Sequence, residues 1–125
     1  MPALPKQPKP RDKHALKQRW TAENAAARQA RSTGDHAAEW THLERAHILS
    51  HPLPMAHVRT HLAMLAFAIR RRDRHEITGQ LIRTIVAGPG SAVRRYPLGN
   101  TGGANVSAVV PMPIPDDLRG VLDAA

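Results

Sequence analysis

The chain has 125 residues, of which 42% are hydrophobic but only 3% aromatic, so its core has to be built from Ala, Leu, Ile and Val with two Trp. That material suits close-packed helices better than a β-sandwich, whose strands draw on aromatic and β-branched side chains. Eighteen Lys and Arg against ten Asp and Glu leave a formal charge of +8, which keeps the surface solvated and attracts polyanions. The absence of cysteine excludes disulfides and thiolate metal sites.

Residues 1–11 (MPALPKQPKPR) alternate proline with basic residues. Proline denies them a helix and the charges keep them in water, which predicts a disordered basic tail. The segment has no apolar stretch of the kind a secretory signal needs. No apolar run in the chain approaches the roughly 20 residues that cross a bilayer. A cytoplasmic location is therefore expected.

A four-helix domain is predicted over residues 12–90. Asp12 caps a first helix running to about Ser32, with Leu16, Trp20, Glu23, Ala27 and Ala30 at helical steps on one face. Gly34 suits the left-handed residue after that helix, and Asp35 suits the cap of a second, at about 36–50. After the Pro52-Leu53-Pro54 turn, a third helix at about 55–72 shows an apolar stripe of Val58, Leu62, Leu65 and Ile69. Asp73 and Glu76 form a capping-box pattern for a fourth, at about 74–87, with Ile77, Leu81 and Ile85 on its apolar face. Gly88-Pro89-Gly90 is expected to stop it.

Residues 91–125 form a different material, predicted to be an extended tail that folds back over the helices. Gly99-Asn100-Thr101-Gly102-Gly103 reads as a turn, Val106 to Val110 and Met112-Pro113-Ile114-Pro115 as extended segments, and Asp116-Asp117 as the start of a last helical turn through Leu122.

The chemistry concentrates between the second and third helices, in Glu44-x-x-His47, His51 and His57-x-x-x-His61. Successive residues of a helix advance by about 100°. Glu44, His47 and His51 then share the arc of Trp40 and Leu43, while His57 and His61 sit one turn apart at the margin of the third helix's stripe. Folding the two helices back at Pro52 sets Glu44 opposite His61 and His47 opposite His57 or Val58. Imidazole-rich donors at this spacing suit zinc, copper or nickel rather than an oxygen-donor site. Five residues are therefore candidate ligands: Glu44, His47, His51, His57 and His61, with His36 as an additional one. Neutral imidazoles would coordinate, so binding is expected to weaken below about pH 6.5. In the competing reading, His47 and His51 satisfy a helix end and Glu44 pairs with His61. No dinucleotide or phosphate-loop motif is present, and no serine has an obvious base partner, so a non-catalytic role is expected.

Two resemblances add to this reading. Residues 20–87 are similar to a pair of tetratricopeptide hairpins: Ala27, Gly34, Asp35, Ala46 and Pro52 fall near that repeat's typical positions, whereas Glu39 stands where it has a small residue. Such a pair implies a scaffold with a concave groove. The string Trp40-Thr-His-Leu-Glu-Arg-Ala-His-Ile-Leu49, with Gly99-Asn-Thr-Gly-Gly103 and Met112-Pro-Ile-Pro115, resembles a small bacterial family of unknown function. That resemblance covers about residues 22–118 and leaves out the basic start. It implies a genomic setting near heavy-metal resistance genes and supplies no catalytic residues.

The expectation is thus an all-α protein of two antiparallel helical hairpins, acting as a transition-metal-binding accessory in metal handling or resistance. The alternative is a helical interaction module with structural histidines. It would meet a protein through the helical groove, or nucleic acid through the basic surface.

Overall fold

Side-chain caps punctuate the helices. The carboxylates of Asp12, Asp35 and Asp73 accept from the backbone N–H of Ala15, Ala38 and Glu76 at 2.9–3.0 Å, each satisfying a donor that the first turn leaves free. The computed structural model describes residues 4–107 and 110–124. Among them are five helices: α1 Lys13–Ser32, α2 His36–Ser50, α3 Pro54–Arg71, α4 Arg74–Ala92 and α5 Asp116–Ala124. The described residues contain no strand; one isolated antiparallel bridge joins Lys6 to Arg95. Gly34 (φ +74°) takes the left-handed conformation expected of it between α1 and α2. Arg72 does the same between α3 and α4.

The main packings are α1 on α2 and α3 on α4, with α2 on α3 joining the pairs. On α1 the expected face is buried: Leu16, Glu23, Ala27 and Ala30. Glu23 is held there by Arg45 and His42 of α2, at 2.9 and 2.7 Å. Across the pairs, the Trp20 indole N–H donates to Thr60 Oγ1 at 2.8 Å, and Arg70 pairs with the buried Glu39 at 2.8 Å. Trp40 meets Phe67 with ring centroids 5.0 Å apart.

Two apolar clusters result. One gathers Ala27, Leu43 and Met64. The other gathers Leu16, Ile48 and Leu49 with Ile114 and Leu118, and so binds α5 to the α1–α2 pair. Asp117 reinforces that docking through Arg19 at 2.9 Å and through Arg45.

Three expectations need correction. First, the apolar stripes of α3 and α4 are not their buried faces: Val58, Leu65 and Ile77 are half-buried and the rest are exposed. Leu62 (48% exposed), Ile69 (55%), Leu81 (51%) and Ile85 (76%) point to solvent. The buried face of α3 is instead Ala56, His57, Thr60, His61, Met64 and Ala68. Periodicity shows that a face is uniform, not which face is inside; here small and hydrogen-bonded side chains win because they let α2 and α4 approach closely.

Second, α4 does not stop at residue 87 but runs on to Ala92, with Pro89 inside it. Pro89 costs the one bond its missing N–H would make. The extra turn gains bonds from Val93 N–H to the Pro89 carbonyl (3.1 Å) and from Arg95 N–H to the Gly90 carbonyl (2.9 Å), and it buries Ser91.

Third, Glu76 does not reciprocate the cap. Its carboxylate turns inward, accepting from Gln80 Nε2 at 2.7 Å and from Ala104 N–H at 2.9 Å.

At the ends of the chain, Gln7 N–H donates to the Arg94 carbonyl at 2.7 Å and Arg95 Nη1 to the Leu4 carbonyl at 2.8 Å. Residues 4–7 of the sequence's expected disordered tail therefore lie alongside the end of α4, where a backbone bond and a bond from the Arg95 side chain hold them. Residues 1–3 of that tail, and residues 108–109 of the expected extended run from Val106 to Val110, lie outside the described residues.

Candidate metal centre

Three histidines meet at one point. His47 comes from α2, and His57 and His61 stand one turn apart on α3. Their Nε2 atoms form a nearly equilateral triangle with edges of 3.0 Å (His47–His61), 3.1 Å (His47–His57) and 3.2 Å (His57–His61). All three rings are buried. The group can hold a metal ion.

The other nitrogen of each ring is already committed. His47 Nδ1 lies 2.6 Å from the backbone carbonyl of Asn100. A carbonyl only accepts, so this Nδ1 carries the proton. His61 Nδ1 lies 2.6 Å from Gln80 Oε1. The orientation of that amide follows from its other end, because Gln80 Nε2 donates to the Glu76 carboxylate (2.7 Å) and the Gly102 carbonyl (2.8 Å), both pure acceptors. His61 Nδ1 is therefore a donor too. His57 Nδ1 lies 2.7 Å from Ser91 Oγ.

Protonation at Nδ1 leaves the neutral rings of His47 and His61 each with a lone pair on Nε2; the Ser91 hydroxyl both donates and accepts, so it serves either tautomer of His57. The lone pairs of His47 and His61 then face each other across 3.0 Å with no hydrogen of their own between them, and His57 Nε2 lies 3.1–3.2 Å from both. That contact is repulsive unless a cation lies among the three nitrogens or His57 carries its hydrogen on Nε2. A proton is a poor candidate. Burial pushes His47 well below its ordinary pKa, with the neighbouring histidines adding to the effect. Burial likewise holds His57 at about 2 and His61 at about 4, the latter despite its bond to Gln80. Nitrogens bound at about 2.0–2.1 Å to a tetrahedral ion stand about 3.3–3.4 Å apart, within a few tenths of an ångström of the observed edges.

The loop after α4 completes the support. Gly102 (φ +86°) lies flat on the His47 ring: a Cβ there would fall 2.6–2.8 Å from three of its atoms. The Gly102 carbonyl also accepts from Arg83 Nη1 at 3.0 Å, and its N–H donates to Asn100 Oδ1 at 2.9 Å. The Asn100 amide in turn donates to the carbonyls of Ser107 and Val110 at 2.7 and 2.8 Å. Gly99 (φ +80°) sits where a Cβ would collide with the Met112 carbonyl. The segment read from sequence as a turn is thus the scaffold that orients His47.

The other candidate ligands fall elsewhere. Glu44 is half-buried and hydrogen-bonded to Thr101; burial raises its pKa, and it is not part of the triangle. His51 is buried (1% exposed) but also outside the triangle. Its ring stacks on Tyr96, with centroids 5.1 Å apart and planes 3° from parallel, and stands edge-on to His47 and His57 at 4.5 and 5.0 Å. Among the described residues neither of its ring nitrogens has a hydrogen-bond partner. His36 is exposed at the first residue of α2. Sequence reasoning missed Gln80, Ser91 and Asn100. Only Asn100 carried a signal, from its place in the glycine-rich string.

These features define a small all-helical protein with a buried three-histidine cluster. The chain belongs to the family described as "Protein of unknown function (DUF3703)", whose model matches residues 14–122. No curated protein and no solved structure matches it. No helix of the described residues is long and apolar enough to cross a membrane.

Proposed function

We propose that His47, His57 and His61 bind one divalent transition-metal ion through Nε2, and that the protein serves as an accessory in metal handling or resistance. One observation carries this reading: the three Nε2 atoms converge at 3.0–3.2 Å while each Nδ1 is engaged by the protein. Outer partners that fix the tautomer and orientation of a histidine are the usual companions of a metal ligand. An all-nitrogen donor set favours zinc, copper or nickel over magnesium or calcium.

Titration calorimetry of the metal-free protein with zinc, copper and nickel tests it. The expected result is one ion per chain at micromolar affinity or tighter, lost in His47→Ala/His61→Ala. No binding by the folded wild-type protein would sink the reading. The role in metal handling predicts that cells lacking the protein grow less well as the bound metal is raised.

A second reading keeps the histidines structural and makes the stacked helical pairs a tetratricopeptide-like interaction module. It is favoured by the solvent-facing Leu62, Ile69, Leu81, Ile85 and Val86 on α3 and α4. The same titration separates the two, since this module takes up no ion.

A further inference from the structure

A cavity of about 240 Å³ adjoins the histidine triangle and is lined by all three of its rings, together with His51, Arg83, Arg95 and Tyr96. We propose that the metal ion keeps its fourth coordination position toward this cavity, where it takes a small inorganic anion that His51 holds by a hydrogen bond. The proposal rests on the metal reading above.

Three observations lead to it. The first is donor count. Zinc and its neighbours commonly take four ligands in tetrahedral array, and a site with three protein ligands leaves one position for an exogenous group. The triangle supplies three nitrogens and no carboxylate. The nearby acids are engaged elsewhere, Glu44 with Thr101 and Glu76 with Gln80 and Ala104.

The second is His51 itself. It is 1% exposed, lines the cavity and has no hydrogen-bond partner at either nitrogen among the described residues. A buried imidazole N–H without a partner costs about 1–3 kcal/mol, so a native structure normally supplies one. Flat stacking on Tyr96 holds the ring beside the triangle rather than in it. An anion on the ion's open side gives that N–H its acceptor.

The third is charge. Three neutral imidazoles leave the ion's positive charge uncompensated in a buried site, and two guanidinium-bearing side chains also line the cavity. Both favour an anion over a neutral occupant. A cavity of about 240 Å³ has ample room for an anion of a few heavy atoms.

The test loads the protein with cobalt(II), whose visible spectrum reports its ligands, and titrates in sodium azide. Wild-type protein is expected to bind cobalt and then one azide, with a change in the cobalt absorption bands. His51→Phe keeps a ring for Tyr96 but no N–H. It should leave cobalt affinity unchanged and weaken azide about tenfold, the equivalent of one hydrogen bond of about 1.4 kcal/mol. His51→Gln restores a donor and should recover most of that loss, and it serves as the check if the phenylalanine variant does not fold. Cobalt uptake with no spectral response to azide overturns the open position while leaving the metal reading standing. Loss of cobalt itself in folded His51→Phe makes His51 the fourth ligand and overturns the proposal. Equal azide affinity in wild type and His51→Phe overturns the hydrogen bond. Failure of the wild type to take up cobalt removes this proposal together with the metal reading on which it rests.

Discussion

Gln80 is the residue whose replacement most sharply tests whether the cluster is built for an ion. Its side chain is fully buried, accepts from His61 Nδ1 at 2.6 Å and donates to Glu76 at 2.7 Å and Gly102 at 2.8 Å. Leucine has nearly its shape and none of its polar atoms. Gln80→Leu strands the buried His61 Nδ1–H. Glu76 retains the Ala104 N–H, and the Gly102 carbonyl retains Arg83. With one group left wholly unpaired and two left partly satisfied, the expected loss of stability is about 2–4 kcal/mol. At the metal, an unanchored His61 ring should cost about 10–100-fold in affinity, as removing an outer partner of a metal-bound histidine generally does. Gln80→Glu separates the two effects. It keeps an acceptor for His61, and a stronger one, but sets a second carboxylate against Glu76. Without metal it should be the less stable protein in urea, yet its metal affinity should stay near wild type. Urea unfolding without metal and calorimetry with it measure the two quantities. Undiminished metal affinity in a folded Gln80→Leu protein would refute the argument that Nδ1 anchoring preorganises the site.

Two further predictions concern the same cluster. Gly102→Ala places a methyl group within 2.6–2.8 Å of three His47 ring atoms at φ +86°. The left-handed backbone costs about 1–2 kcal/mol and the overpacking about 1–3 kcal/mol, so chemical denaturation should show a loss of about 2–5 kcal/mol, and wild-type stability would contradict the close contact between loop and ring. The metal-free protein should also be acid-labile earlier than its carboxylates dictate. Burial depresses the folded-state pKa of His61 to about 4 and of His51 to about 3 from 6.5. Below pH 6.5 the unfolded chain takes up protons that the folded one refuses. Stability is therefore full above about 6.5 and falls by about 1.4 kcal/mol per pH unit for each such histidine, until the folded values are reached. Thermal unfolding from pH 7 to pH 5 should show a steep fall without metal and a parallel fall from a higher starting point with it, because the ion stabilises the folded state while the folded rings take up no protons in either case. A flat profile without metal would mean that these rings are not buried as described.

The parts of this molecule that are legible in its sequence are those governed by local chemistry. Asp12, Asp35 and Gly34 mark helix ends because their own side chains or backbone freedom do the capping, and His57 and His61 face one way because helical spacing requires it. What stays hidden depends on what the chain meets in space. The overrun of α4 past Pro89 becomes favourable only once Ser91 has His57 to bond. The apolar stripe of α3 misleads because its competitor for burial is a face of histidine, threonine and alanine that looks polar until Gln80, Ser91 and Trp20 supply its partners. Glu44 stands at the right helical height for a ligand, but Thr101, more than fifty residues later, claims it. The outer support of the cluster is the hardest part to read, for a physical reason: the Asn100 and Gly102 carbonyls that anchor it belong to the backbone, which every residue shares. Only the need for positive φ at Gly99 and Gly102 leaves a trace in residue type. A glycine-rich string that opens no helix is thus read more productively as a place where backbone comes close to something than as a turn alone, and here that something is the ring of His47.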